Sequence, residues 1–319
     1  MDTYPDWAIG PFLKAAENPV LEPGESGFDS WAAYNPAVIY AFGKYHMFYR
    51  AETLEERDTP YCGTSRIGLA TSTDGRRFVK QGVVLDADQP YELPGGLEDP
   101  RITIVDGEYH LLYTAYCYPR VVLCSAVSRD LAHWEKRGPL LKTWTELGRE
   151  SKSACPVVDP NLRAVRIGGK YHLFTNQVYA ASADFVHWDC EPFEAAAYSG
   201  KFHEVCTAIT DYRDPGKDDV VLFVAGSLDA LCPGRKLFYA VTECLLSRED
   251  LRHRIKQLDF PVIAAEHSYE KSLFRLTGDA ARGTIFLDSV FRRDGLWHAY
   301  YGASDMCVGA AFAKEENGK

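Results

Sequence analysis

Short apolar runs rich in β-branched residues follow one another along the whole chain, and glycine, proline and aspartate separate them. Such runs, bounded by turn residues, are typical of β-strands, and helical periodicity is weak throughout. One pattern recurs: an apolar strand, a turn with glycine, and an aromatic strand. The copies lie at 43–49, 107–113, 169–175 and, more weakly, 295–301, each with its apolar strand before it, which for the third copy is 164–167. The pattern predicts a β-hairpin in each copy.

Each of the first three hairpins is followed by a third strand and then by a turn that starts at aspartate and ends on an aromatic residue. These turns lie at 74–78, 130–134 and 184–188. Units of about four strands, about five in number, predict an all-β fold. We expect a single five-bladed β-propeller domain over residues 1–319, with a central funnel-shaped active site. A two-sheet sandwich is the alternative, but it does not explain the repeated hairpin and aspartate turn.

Composition narrows the function. The chain has 319 residues, 46% of them hydrophobic, and a formal net charge of −10. An acidic chain lacks the basic surface of nucleic-acid binders and of membrane-binding patches, and no apolar run is long enough to span a bilayer. The nine cysteines include no C-x-x-C pair, and the N-terminus does not resemble a secretory signal. We therefore expect free thiols in a cytoplasmic protein, no zinc site, and an oligomeric state that the sequence leaves open.

The repeat accounts for most of the histidines. Four of them share one repeat position, which favours packing between strands over ligand binding: His46, His110, His172 and His298. His133 and His187 follow the aspartate of a turn, and we expect them to be structural as well.

Polar residues at the starts of first strands are the candidate site residues, because the first strands of a propeller surround its axis. Such residues occur at 34–36, 98–101, 152–153 and 201–204. Glu98-Asp99-Pro100-Arg101 is the most distinctive. Alternation along a strand predicts one carboxylate on each face, with Arg101 keeping one ionised while the other acts as an acid. A turn with a surface salt bridge is the structural alternative.

Several segments, in order from Asn35 to Asp305, resemble glycoside hydrolase family 130, and the most specific is Gly96-Leu97-Glu98-Asp99-Pro100-Arg101. The others are 34–37, 48–51, 65–70, 72–75, 113–116 and 300–305. That family comprises β-mannoside phosphorylases and β-mannosidases built on five-bladed propellers. The resemblance implies that Asp99 is the general acid, acting through a hydroxyl of the sugar, and that Asp305 binds mannose hydroxyls. The remaining predicted substrate-binding residues are Asn35, Arg50, Arg66, Glu98, Arg101, Lys152 and His203.

The nucleophile is the main open question, because phosphorolysis needs a cationic pocket and hydrolysis needs a carboxylate that activates water. Compared with the phosphorylases, segment 174–176 lacks an arginine, segment 223–226 lacks a histidine, and Glu204 stands where a phosphate site would be. These departures favour water over phosphate as the nucleophile. We expect Glu204 to be the base with Glu243 as a second glutamate and Glu266 as a weaker rival.

The predicted protein is therefore an inverting hydrolase of short β-1,2-linked or related manno-oligosaccharides that needs no metal or cofactor. A β-mannoside phosphorylase is the alternative, with inorganic phosphate as co-substrate held by Lys152, Lys201 and Arg50. A five-bladed furanosidase is disfavoured because Asn35 stands where those enzymes place a base aspartate. A non-catalytic carbohydrate-binding propeller is the remaining alternative.

Overall fold

The computed structural model describes residues 4–56, 58–59, 63–193, 203–210, 219–227, 239–271 and 283–314. Within these ranges the chain is almost entirely β-structure, which confirms the predicted all-β class. Helix in these ranges is limited to α1, Lys142–Glu146, and to 3-10 turns at Leu54–Glu56 and Ser268–Glu270. None of the helices in the described ranges is long and apolar enough to cross a membrane.

Five units of four strands make up the fold. Unit 1 contains β2 Ala32–Ala41, β3 Lys44–Glu52, β4 Arg66–Ser72 and β5 Val79–Leu85. Unit 2 contains β6 Gly96–Val105, β7 Glu108–Cys117, β8 Arg120–Ser128 and β9 Glu135–Pro139. Unit 3 contains β10 Cys155–Val158, β11 Tyr171–Phe174, β12 Val178–Ser182 and β13 Asp189–Pro192. Unit 4 contains β14 His203–Thr210, β15 Val220–Ser227, β16 Tyr239–Leu246 and β17 Arg254–Gln257. Unit 5 contains β18 Ile285–Arg293, β19 Leu296–Ala303, β20 Cys307–Lys314 and, from the N-terminus, β1 Leu13–Lys14.

Neighbouring strands within each unit are antiparallel, and the N-terminal strand β1 completes unit 5 by pairing with β20. The first strands also contact one another in a closed circuit. In this circuit β2 contacts β6 and β18, β14 contacts β10 and β18, and β10 also contacts β6. Strands β10 and β14 form a parallel pair that joins units 3 and 4 into one sheet. The start of every first strand is therefore close to the middle of the molecule.

Unit 3 departs from the expected hairpin. Its first strand is β10, and segment 164–167, expected to be that strand, makes only isolated bridges. The reason is the turn after β10, where the Asp159 carboxylate accepts hydrogen bonds from the backbone N–H groups of Asn161 and Arg163. This turn folds 164–167 back against β10 before the chain enters β11.

The predicted aspartate turns are present and share one geometry. Ser72, Ser128 and Ser182 each donate a hydrogen bond to an aspartate two residues on, at 2.8–3.2 Å. The same carboxylate accepts two backbone N–H groups, which satisfies the turn locally. His133 and His187 lie 2.8 Å from the aspartates of their turns.

The repeated histidines pack between strands, as expected. Burial lowers the pKa of His46, His110 and His172, and lowers that of His298 to about 4. His298 stacks on Phe291 with ring centroids 5.1 Å apart. The described cysteines are all free: Cys117, Cys124, Cys155, Cys190, Cys206, Cys244 and Cys307. The cytoplasmic location stays a prediction.

A buried cluster of tyrosine, carboxylate and lysine occurs in units 1, 2 and 5, and we call it the clamp. The clamps are Asp29, Tyr49 and Lys80; Glu92, Tyr113 and Lys136; and Glu270, Tyr301 and Lys14. Each tyrosine donates to its carboxylate at 2.7–2.9 Å, and each lysine Nζ lies 2.6–2.7 Å from it. The carboxylate precedes the first strand of its unit and the lysine lies in the outermost strand, so each clamp ties the two edges of a unit together.

Candidate active site

The first strands of units 1, 2, 4 and 5 are interrupted by bulges near the centre of the molecule. The bulged residues are Asn35, Asp99 with Pro100, Cys206, and Asp288. A bulge bends the strand and redirects a side chain. Asn35 and Asp99 adopt φ values of 47° and 49°, in the left-handed region that asparagine and aspartate tolerate best among residues with a side chain.

A cavity of about 420 Å³ lies where these strands converge. All five units or the segments before them contribute predicted residues to its lining: Asn35, Arg50, Asp99, Lys152, Glu204 and Asp305. Sequence positions more than 250 residues apart thus meet in one polar cavity. Tyr34, Tyr239, Thr284 and Phe286 complete the wall.

Asp99 is held by three groups. Its Oδ1 accepts a hydrogen bond from Asn35 Nδ2 at 2.7 Å and lies 3.3 Å from Arg50 Nη1. Its Oδ2 lies 3.2 Å from Lys152 Nζ. Burial by itself raises the pKa of Asp99, but Lys152, Arg50 and the Asn35 hydrogen bond outweigh burial and hold this pKa well below its usual range. These contacts therefore favour the ionised form of Asp99.

The structure corrects the expectation that Glu98 and Asp99 lie on opposite faces of the strand. Lys152 Nζ is 3.0 Å from Glu98 and 3.2 Å from Asp99. Arg50 also contacts both carboxylates, at 2.8 Å and 3.3 Å. The bulge at Asp99 breaks the two-residue alternation, so neighbouring carboxylates share the same cations.

Arg101 forms an ion pair with neither of these carboxylates, although its charge adds to the lowering of the Asp99 pKa. Its guanidinium instead forms a buried ion pair with Asp288, beneath the cavity wall. Arg101 side-chain nitrogens also donate to the backbone carbonyls of Pro100 and Cys206, at 3.1 Å and 3.3 Å. Arg101 therefore supports the site from behind.

Arg50 and Lys152 are the cations of the described cavity wall, and both are engaged by carboxylates. Arg50 Nη2 lies 2.7 Å from Glu52, which also accepts a hydrogen bond from Tyr34 Oη at 2.7 Å. Burial alone would lower the pKa of Arg50 and Lys152, but the surrounding carboxylates raise both well above their usual values. Both side chains remain charged, and the carboxylates around them are more numerous: Glu52, Glu98, Asp99, Glu204 and Asp305.

Glu204 enters the cavity from β14. Its carboxylate accepts a short hydrogen bond from Ser153 Oγ and a longer one, 3.4 Å, from Tyr239 Oη. Beside it, Asn176 Oδ1 accepts the backbone N–H of Val205 at 3.3 Å. Asn176 belongs to the segment in which the resembling phosphorylases carry an arginine, so that segment does lie next to Glu204.

Asp305 lies in the turn between β19 and β20 and lines the same cavity as Asp99. Burial raises the pKa of Asp305 to about 6, with Asp99 and Glu52 adding to the rise and Arg50 opposing it. The two aspartates therefore differ in protonation: Asp99 is fully ionised, and Asp305 takes up a proton at mildly acidic pH.

Two other predicted residues, Arg66 and Glu266, lie away from the cavity. Arg66 begins β4 and pairs with Glu56 and Asp86, both at 3.1 Å, with β3 between it and the first strand. Glu266 is an exposed residue 3.3 Å from Lys14. The side chains of His203 and Lys201 lie outside the described residues.

Glu243, the expected second glutamate, does not line the cavity. Glu243 lies on β16 four residues beyond Tyr239, which is roughly 13 Å along a strand. Its fully buried carboxylate accepts the backbone N–H of Ile9 at 2.8 Å. Glu243 therefore anchors the N-terminal segment.

Sequence reasoning missed Asp288, Glu52 and Tyr239, whereas Ser153 lies in the candidate segment 152–153. Asp288 did carry a signal, because it interrupts the apolar strand 286–290, as Asn35 and Asp99 interrupt theirs. Among the described residues, no group of histidine, cysteine, aspartate or glutamate is arranged to hold a metal ion.

A central cavity rich in carboxylates, with a few paired cations, is typical of enzymes that cleave glycosidic bonds. A family model for glycoside hydrolase family 130, described as β-1,4-mannooligosaccharide phosphorylase, matches residues 14–317. The chain therefore belongs to glycoside hydrolase family 130, and the predicted resemblance is confirmed. It is an enzyme of that family.

Two relatives come from Thermoanaerobacter sp. (strain X514). A 1,2-β-oligomannan phosphorylase is 26% identical over 93% of this chain and 95% of its own. A β-1,2-mannobiose phosphorylase is 26% identical over 96% and 98%. A solved structure from a study of family 130 glycoside hydrolases that target β-1,2-mannosidic linkages in Candida mannan is 27% identical, with a TM-score of 0.85 over 99% of this chain and 97% of that one. A putative glycosidase from Bacteroides thetaiotaomicron is also 27% identical, with a TM-score of 0.85 over 98% and 99%.

Proposed function

We propose that the protein is an inverting β-mannoside hydrolase that acts on short β-1,2-linked manno-oligosaccharides. The β-1,2 linkage rests on the two phosphorylases and on the structural relative, all of which are named for it. We also propose that the five units are the blades of one propeller domain over residues 1–319. The closed circuit of first strands and the pairing of β1 with β20 support this arrangement.

The observation that carries the proposal is the charge of the cavity. Arg50 and Lys152 are already neutralised by carboxylates, and Glu204 adds a further negative charge without a cation of its own among its described hydrogen-bond partners. A phosphate ion needs unpaired donors and positive charge. Water carries no charge and needs a base, which the Glu204 carboxylate supplies.

In the proposed reaction Glu204 takes a proton from a water molecule as that water attacks the anomeric carbon. Ser153 and Tyr239 orient the Glu204 carboxylate for this step. Asp99 gives a proton to the leaving oxygen through a hydroxyl of the sugar. Because Lys152 and Arg50 keep Asp99 ionised, we propose that a bound sugar takes over part of these contacts and lets Asp99 acquire a proton from solvent.

The test uses β-1,2-, β-1,3- and β-1,4-mannobiose with and without phosphate, and measures mannose and mannose 1-phosphate. We expect free mannose without phosphate. Glu204→Gln keeps the side-chain volume and removes the base, so kcat should fall about 10²–10⁴-fold. Glu266→Gln makes the same change at an exposed position and should leave kcat unchanged. Full activity of Glu204→Gln would contradict the proposal.

A phosphorylase is the second candidate, because the family model and both Thermoanaerobacter relatives carry that description. Mannose 1-phosphate formed only with phosphate would establish it. Lys201 and the His203 side chain, which lie outside the described residues, would then join Lys152 around the anion. No product from any substrate would instead favour a carbohydrate-binding role or another glycoside.

A further inference from the structure

A buried ion pair lies directly behind Asp99 and has no part in the proposed reaction. Arg101 follows Asp99 by two residues on β6, and Asp288 is the bulged residue of β18. Their guanidinium and carboxylate groups are in contact, and the residues are only 4% and 3% exposed. Neither residue lines the cavity.

The remaining contacts of Arg101 are with the backbone of the bulges. Its Nη1 donates to the carbonyl of Pro100 at 3.1 Å and approaches that of Asp99 at 3.5 Å, while Nε donates to the carbonyl of Cys206 at 3.3 Å. A guanidinium holds its N–H groups in a fixed plane. Whatever orients Arg101 therefore also orients the backbone of the Asp99 bulge.

The ion pair between Arg101 and Asp288 is not arranged to give much folding stability. Arg101 Nη2 and Asp288 Oδ2 are buried and have no hydrogen-bond partner among the described residues. Buried polar atoms without partners are costly, and buried ion pairs are weak contributors to stability even when fully satisfied. An ion pair kept at such a place points to a role in geometry.

We propose that Asp288 is a positioning residue that, through Arg101, holds the bulge at Asp99 and aims the Asp99 carboxylate at the substrate. Asp99 adopts a left-handed backbone conformation, and the contacts of Arg101 with the carbonyls of Asp99 and Pro100 fix the bulge in that conformation. The inference rests on the proposed function only in taking Asp99 as the acid. A small displacement of a reacting group is enough to slow catalysis strongly.

The experiment compares Asp288→Asn with Asp29→Asn, an identical change at an equally buried aspartate in the clamp of unit 1. For each variant we would measure kcat on mannobiose, the Kd of mannose by calorimetry, and thermal unfolding. We expect Asp288→Asn to lower kcat by about 100-fold with an unchanged Kd, because Asn35, Arg50 and Asp305 still bind the sugar. Asp29→Asn should lower Tm while kcat, measured below both melting temperatures, stays at the wild-type value.

Arg101→Lys is the second variant, because it keeps the charge beside Asp288 but cannot reach the three carbonyls together. It should reproduce the loss of kcat. Normal kcat in either folded variant, a parallel loss of kcat and sugar affinity, or failure of both variants to fold would overturn the proposal.

Asp99→Asn distinguishes failure of the positioning role from failure of the proposed function. If Asp99→Asn is fully active, the assignment of the acid fails; if it is inactive while Asp288→Asn is active, only the positioning role fails.

Discussion

Buried carboxylates occur in this protein in two contrasting regions. In each clamp a buried carboxylate is held by a lysine and a tyrosine of its own unit, as Glu270 is held by Lys14 and Tyr301. In the central cavity several carboxylates share Arg50 and Lys152. The clamps therefore stabilise the fold, whereas the cavity concentrates charge that the folded state must tolerate. Excess charge of this kind is expected at an active site, where catalysis and stability conflict.

The five units also differ in whether they contain a clamp. The clamps belong to units 1, 2 and 5. These units also supply four cavity residues: Asn35, Arg50, Asp99 and Asp305. In unit 3, Thr175 takes the place that tyrosine occupies in those units, and β15 of unit 4 contains no tyrosine. The proposed base, Glu204, thus comes from a unit in which the described residues form no clamp, and the proposed acid comes from a unit with one.

The largest expected effect comes from breaking a clamp. Glu270→Ala removes a buried carboxylate that both the Lys14 ammonium and the Tyr301 hydroxyl contact, so the free energy of unfolding should fall by about 3–5 kcal/mol. The measurement is urea unfolding, and Glu266→Ala, which removes only an exposed contact to the same lysine, is the control. An equal loss in both variants would show that the clamp is no stronger than a surface pair.

The pH dependence of the same clamp has a defined sign. Burial alone raises the pKa of Glu270, but Lys14 and two backbone N–H groups outweigh it and lower this pKa below its usual value. The stabilisation is therefore present above the pKa of the unfolded chain and is lost as the pH falls through the folded value. The difference between the wild type and Glu270→Ala should shrink in acid.

A smaller effect of opposite sign is expected in the cavity. Because the pKa of Asp305 is raised to about 6, the folded state holds a proton that the unfolded chain releases, and stability falls as the pH rises toward that value. Asp305→Asn removes the buried charge. It should raise the free energy of unfolding by about 1–2 kcal/mol near neutral pH and by much less at about pH 4.

The same variant should bind sugar more weakly, because Asp305→Asn removes a carboxylate that is proposed to bind the sugar hydroxyls. It should therefore lose sugar affinity while it gains stability. Urea unfolding at the two pH values and calorimetry with mannose measure the two quantities. A variant that is destabilised near neutral pH would contradict the contrast between cavity and clamp.

The smallest effect is expected at the surface turns. His187→Ala removes an exposed contact to Asp184, while the Asp184 carboxylate still accepts the two backbone N–H groups of its turn. The urea midpoint should not change measurably, since exposed pairs contribute little. A clear loss would mean that surface turns matter as much as clamps.

The sequence by itself determined the features that depend on local pattern. Hairpin turns, aspartate turns and the all-β class follow from residues within a few positions of one another, and the Gly96–Arg101 segment indicated the family. The cavity residues Asn35, Arg50, Asp99, Lys152, Glu204 and Asp305 were also identified from such segments.

Only the tertiary structure decided which side chains share a partner. The bulge at Asp99 placed Glu98 and Asp99 beside the same cations, where strand alternation predicts opposite faces. Arg101 paired with Asp288, which is far away in sequence, and Glu243 turned to the N-terminal segment. The physical reason is common to all three. A one-residue bulge or the closure of a ring of strands changes the neighbours of a side chain, and neither event leaves a periodic signal in the sequence.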